Sequence, residues 1–206
     1  MTEFTYSSSV NGQQQQWFQE AISRLDHTFP ASQLPLKITV KTVPEPPCVG
    51  HNDYMCTQTL STDGVVTDIQ IFIREGAETQ AVARQATTDL VHAFFMEAVV
   101  HEFGHVLTFT YLALDDAARE EMAGWFIWRG EGGTTRHGEL DDWNPTDKKW
   151  ESRIQEAVAE WFKDLYMPRK YRAYDNRTYW WFDQDYLSDW FSKIERVICP
   201  QPPVIS

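Results

Sequence analysis

The sequence predicts an α+β fold, with a small, mostly antiparallel sheet followed by helices. Three observations carry this expectation. Apolar and polar residues alternate through 36–43 and 66–73, the signature of half-buried strands. Thr62-Asp63-Gly64 joins two extended runs with a hairpin signal of the Asp-Gly kind. From about Thr88 the period lengthens to helical and holds to about Leu114. Strands first and helices afterwards is the order of an α+β domain. At 206 residues the chain is expected to form a single domain, residues 1–206. It would comprise an N-terminal helix and sheet (1–80), a helical part (88–166) and an aromatic-rich C-terminal extension (167–206).

Taken in order, residues 13–28 read as an amphipathic helix with Trp17, Phe18, Ala21, Ile22 and Leu25 on its apolar stripe. Pro30 and Pro35 break that pattern. In LKITVKTV (36–43), Leu36, Ile38, Val40 and Val43 alternate with polar partners. YMCTQTLS (54–61) and VTDIQIFI (66–73) are the hairpin strands. Ile69, Ile71 and Ile73 share one face of the second, opposite Asp68, Gln70 and Phe72. Thr88 or Asp89 can cap the helix that follows. Asp115 or Asp116 can cap the next, which runs to about Trp128. A Gly-rich polar loop (130–145) precedes a helix that Thr146 or Asp147 can start and Pro168 stops. Residues 184–198 read as a last helix.

Composition narrows the function classes. Eighteen Lys+Arg against 30 Asp+Glu give a net charge of −12. Such a surface repels phosphates, so no nucleic-acid partner is expected; it favours cations and basic peptides. No apolar run reaches the roughly 18–20 residues of a membrane span, so no membrane partner is expected either. The first residues, MTEFTYSSSV, show no Sec signal, which makes the cytoplasm the expected location. Cys48, Cys56 and Cys199 are too few, and odd in number, for a disulfide framework. Cys48 and Cys56 read as ordinary loop cysteines, with no second metal site at His51. Of nine tryptophans only Trp17 precedes residue 125. That aromatic C-terminal half reads as core, or as a docking surface for a protein partner.

The chemistry is concentrated in His101-Glu102-Phe103-Gly104-His105. On a helix, positions i and i+4 stand on one face, so both imidazoles reach one metal ion while Glu102 sits one step round. Zinc held by imidazoles and a carboxylate keeps a position open for water and lowers its pKa towards roughly 7. The adjacent glutamate can take the water's proton. With 6 His in 206 residues, a chance match is expected roughly 0.01 times per chain.

The third ligand decides the class. No histidine follows His105 at short spacing; the next is His137. EAVAEWF (156–162) offers Glu156 and Glu160, while EEMAGWF offers Glu120 as a rival with Gly124 in place of the second acid. HEFGH followed by E-x-x-x-E resembles the gluzincin superfamily of metallopeptidases, most closely the group that includes the anthrax lethal factor peptidase domain. The resemblance covers roughly residues 88–166. It implies a zincin-like fold, zinc on His101, His105 and Glu156, Glu102 as general base, and Glu160 as the acid that orients a ligand histidine. The family's oxyanion-stabilising tyrosine falls near Lys149 and Trp150, neither of them tyrosine, which leaves His137 as the substitute candidate.

On its own residues the acidic pair has a second reading. Trp150, Ile154, Val158, Trp161, Phe162 and Leu165 form an apolar stripe, and Glu156 and Glu160 point away from it, as solvated charges do. Two functions follow. The first is a zinc peptidase acting on a peptide or protein substrate, with the strand at 66–73 as the edge of its cleft. The second is a structural or assembly component on a zincin scaffold whose zinc site is structural or vestigial. RAYDNRTYWW (172–181) weakly resembles segments of tail and other virion proteins of actinobacterial phages, which would make the chain virion-associated.

Overall fold

The computed structural model describes residues 1–48, 54–62, 65–83, 87–112 and 154–167. Its regular elements are β1 (Glu3–Tyr6), α1 (Gly12–Leu25), β2 (Lys37–Val43), β3 (Met55–Thr62), β4 (Val65–Arg74), α2 (Val91–Leu107) and α3 (Ile154–Tyr166). The fold is α+β, as the order of patterns predicts. Among the described residues no helix is long and apolar enough to cross a membrane.

The sheet is mixed rather than mostly antiparallel. Its order is β1-β2-β4-β3, with β1 parallel to β2, β2 parallel to β4, and only β3 antiparallel to β4. The antiparallel pair is the expected hairpin: Thr62 pairs with Val65, so only Asp63 and Gly64 separate the strands. A register shift between Leu60 and Ser61 marks a bulge near that end. One parallel pair involves β1, which is four residues long and too short for alternation to reveal; the other joins β2 to β4. Because β1 and β2 are parallel, the chain between them must cross over, and α1 makes that crossing. One expectation is corrected here. Among the described residues the strand at 66–73 lies between β2 and β3, so the sheet's edge strands are β1 and β3.

Helix α1 begins at a reciprocal cap. Asn11 Oδ1 accepts from the Gln14 amide at 2.9 Å, and Gln14 Oε1 accepts from the Asn11 amide at 3.3 Å. Phe18, Ala21, Ile22 and Leu25 are buried as their spacing predicts, while Trp17 is half-buried and packs edge-on to Phe95. The helix stops at Leu25, three residues short of the expected end. Helix α2 begins at Val91 with Leu90 in the capping position, so neither Thr88 nor Asp89 is its cap. After Leu107 the chain widens into a π turn, Thr108–Leu112.

One apolar cluster joins sheet and helices. Ile38 and Val40 of β2, Ile69, Ile71 and Ile73 of β4, Phe18 of α1, Phe95 and Phe103 of α2 and Phe162 of α3 are all buried in it. Phe72, on the opposite face of β4, pairs across the hairpin with Cys56. Cys48 and Cys56 form a disulfide, which corrects their reading as ordinary loop cysteines. Eight residues of separation hide that pairing from a count of three cysteines. The expected helices at 115–128 and 184–198, the loop at 130–145, the start of the third helix and the aromatic extension lie outside the described residues.

Candidate metal centre

Two helices build the centre. Helix α2 is buried all round through this stretch, including His101, Glu102, Phe103, Gly104 and His105. A polar helix segment in such surroundings must have its charges answered. The answer comes from α3 and β3.

Gly104 makes the approach of α3 possible. A Cβ at Gly104 would stand 2.8 Å from Ala159 Cα and 3.2 Å from Ala159 O, so the helices touch backbone to backbone. Glu156 and Glu160 flank Ala159 by a turn and by a single residue, and both carboxylates are thereby brought against the imidazoles. Both are buried, at 8 % and 6 % exposure, so the solvated-face reading of α3 does not hold. Val158 and Phe162 are buried too; this helix has an apolar inner stripe and a polar inner stripe.

His101 Nε2 lies 3.2 Å and His105 Nε2 3.1 Å from the same oxygen, Glu156 Oε2. On the other side of the first ring, His101 Nδ1 lies 2.9 Å from Glu160 Oε1. Lys163 Nζ donates to Glu160 Oε2 at 2.5 Å. The ring of Phe109, in the π turn, stacks nearly parallel on His105 with centroids 5.5 Å apart. His105 Nδ1 is buried without a hydrogen-bond partner among the described residues. Glu102 turns towards the sheet. Thr57 Oγ1 lies 2.9 Å from Glu102 Oε2 and 3.1 Å from the Glu102 carbonyl, sharing its single proton between them.

The charges follow this geometry. Burial draws the His101 imidazole down, but hydrogen bonds to Glu156 and Glu160 more than offset it and push the ring up to about 10. Burial would raise Glu156, yet the charge of His105 and the bonds to both rings hold it well below the carboxylate range. Glu160, raised by burial but bonded to His101 and paired with Lys163, comes down to about 2. Glu102 moves the other way: burial raises it, against the opposing pull of His105 and His101.

The arrangement fits a metal ion. If a neutral His101 carries its proton on Nδ1, 2.9 Å from Glu160 Oε1, the lone pair on Nε2 faces a carboxylate oxygen 3.2 Å away, and two like-signed atoms that close need a cation between them. A proton or a metal can serve. Bonds of about 2.0–2.1 Å to tetrahedral zinc set neighbouring donors roughly 3.3 Å apart, close to the two observed separations. His101, Glu102 and His105 also present ligand atoms all within 4.8 Å of one another, a buried group that could hold a metal ion. Two carboxylates thus compete for the place beside the histidines. Glu156 Oε2 contacts both Nε2 atoms, whereas Glu102 Oε2 is taken up by Thr57.

The sequence-derived residues His101, Glu102, His105, Glu156 and Glu160 are brought together here. His137 and Glu120 lie outside the described residues. Thr57, Lys163 and Gly104 were not among the candidates. Lys163 stands three residues after Glu160 and Gly104 is the small residue inside HEFGH, so both carried a local signal, whereas Thr57 comes from a distant strand and carried none. No protein-family model, curated protein or solved structure matches the chain.

Proposed function

We propose that the chain is a zinc-dependent peptidase of gluzincin type, with His101, His105 and Glu156 as ligands and Glu102 as general base. The observation that carries this reading is the convergence of two imidazole Nε2 atoms on one oxygen of Glu156, with Glu160 behind the first ring. Two nitrogen donors and one carboxylate suit zinc with a position left open. Zinc held there would supply an acidified water and a Lewis acid for the peptide carbonyl.

The protein's own groups do the rest. Thr57 engages Glu102 Oε2, which leaves Oε1 to accept a proton from the attacking water. Burial raises the Glu102 carboxyl, making it a stronger base and, once protonated, an acid able to return the proton to the departing amide nitrogen. Glu160 Oε1, 2.9 Å from His101 Nδ1, would keep the imidazole proton on that nitrogen and so leave Nε2 for the metal. We take β3, an edge strand of the described sheet and the carrier of Thr57, as the strand to which an extended peptide would be added.

Zinc titration against a competing chelator tests the ligand set. Glu156→Ala should sharply weaken binding, Glu160→Ala should weaken it roughly 10–100-fold, and Glu120→Ala should leave it unchanged. Sensitivity at Glu120 in place of Glu156 would overturn the assignment. Glu102→Gln should keep zinc and abolish cleavage of a quenched-fluorescent peptide library. Should the zinc-loaded wild type cleave nothing in that library, the site is structural and the assembly reading replaces the peptidase.

A further inference from the structure

Lys163 is a buried charge that the proposed chemistry leaves unused. It is 4 % exposed. A lysine stem normally carries its ammonium out to water, and one kept inside needs an opposite charge beside it. Here that charge is Glu160, whose Oε2 accepts from Lys163 Nζ at 2.5 Å. The pair is i,i+3 on α3, a spacing that on a solvated face contributes only tenths of a kcal/mol. Both partners here are buried, so the pair is part of the interior.

What Glu160 does with its other oxygen gives the pair its purpose. Oε1 lies 2.9 Å from His101 Nδ1. A carboxylate at Nδ1 fixes which ring nitrogen carries the proton, and so leaves the Nε2 lone pair for a metal. It can do this only while it is held in that orientation. Lys163 grips the opposite oxygen and keeps Oε1 from turning away. It also offsets the repulsion between Glu160 and Glu156, which stand i,i+4 on the same helix.

We propose that Lys163 is a positioning residue of the metal centre, acting through Glu160 to hold His101 Nε2 towards the metal. This rests on the reading of His101, His105 and Glu156 as ligands.

The test uses zinc alone as the probe. Zinc affinity is measured by chelator competition for wild type, Lys163→Met, Glu160→Gln and the double variant, alongside denaturant unfolding of each metal-free protein. Lys163→Met should bind zinc on the order of 10-fold more weakly. Because the effect passes through Glu160, the double variant should bind no more weakly than Glu160→Gln alone. A further loss in the double variant overturns the proposal. Ile38→Ala, in a strand that carries no site residue, is the stability control. If it lowers zinc affinity as much as Lys163→Met does, the lysine is merely structural and the proposal fails. Should Lys163→Met not fold, the double variant, which lacks both buried charges, still decides by comparison with Glu160→Gln. A wild type that binds no zinc removes the metal reading as well. A wild type that binds zinc as tightly as Lys163→Met overturns this proposal alone.

Discussion

Gly104→Ala is the sharpest perturbation of the centre because it alters none of the proposed ligands. The added Cβ would meet Ala159 Cα at 2.8 Å and Ala159 Cβ and O at 3.2 Å. Ordinary carbon contacts lie near 3.5–4.0 Å, so α3 must retreat from α2 by about 0.7–1.2 Å. Overpacking of this kind costs about 1–3 kcal/mol, and the gain in helix propensity from glycine to alanine returns about 1 kcal/mol. The net loss of metal-free stability is therefore small, about 0–2 kcal/mol. The metal centre should suffer more. Glu156 and Glu160 ride on α3 and His101 and His105 on α2, so the retreat opens their 2.9–3.2 Å separations directly. Metal–ligand distances tolerate only about 0.2 Å. Zinc affinity should fall roughly 10–100-fold, measured by chelator competition beside denaturant unfolding in EDTA. Gly12→Ala is the control, since its Cβ meets nothing within 4 Å. Unchanged zinc affinity in Gly104→Ala would refute the idea that the close approach of the two helices assembles the site.

Two further outcomes follow from the electrostatics. In metal-free protein, His101 is raised from 6.5 to about 10, so its stabilisation is full below about pH 6.5 and is lost as the pH rises towards 10. Glu160 is lowered from 4.5 to about 2, so its share is full above about pH 4.5 and is lost as the pH falls towards 2. Thermal unfolding in EDTA should peak between those limits, and zinc should reverse the alkaline limb by replacing the His101 proton; a metal-free Tm that climbs from pH 7 to 9 would contradict this. Thr57→Val removes a buried hydrogen bond to Glu102 and should cost about 1.5–3 kcal/mol in denaturant unfolding, while Thr57→Ser keeps the hydroxyl and should lose less. Equal losses would mean that the hydroxyl bond contributes nothing.

Much of the centre was legible because its signals are local. The i,i+4 imidazoles and the i,i+4 acids each declare themselves within five residues. The hairpin is equally local, and both its strands lie where alternation and the Asp-Gly turn put them. What the sequence hid is non-local. Edge and interior strands cannot be told apart by alternation, and β4 is interior because β2 pairs along its other side. Thr57 reaches Glu102 across 45 positions of sequence. Periodicity alone turns Glu156 and Glu160 away from the apolar stripe of their helix, and only the packing of α2 over Ala159 brings that face inside.

The same packing explains why this interior tolerates so much charge. Glu102, Glu156 and Glu160 bring three carboxylates into one buried region, and Lys163 answers one of them. If all three are ionised and both imidazoles are neutral, these six groups carry −3 from the acids and +1 from the lysine, a net of −2. Leaving such a charge in a low-dielectric interior is strongly unfavourable. One proton on His101 removes only half of it, whereas a divalent cation among His101, His105 and Glu156 removes all of it. A divalent cation would therefore balance this cluster, as would protons on His101 and Glu102, both of which the surroundings favour in the metal-free protein. Binding such an ion should release a proton where His101 is protonated in the metal-free protein. Zinc addition to metal-free protein in weakly buffered solution near pH 7 should thus acidify it by up to about one proton per site, and His101→Gln should abolish that release.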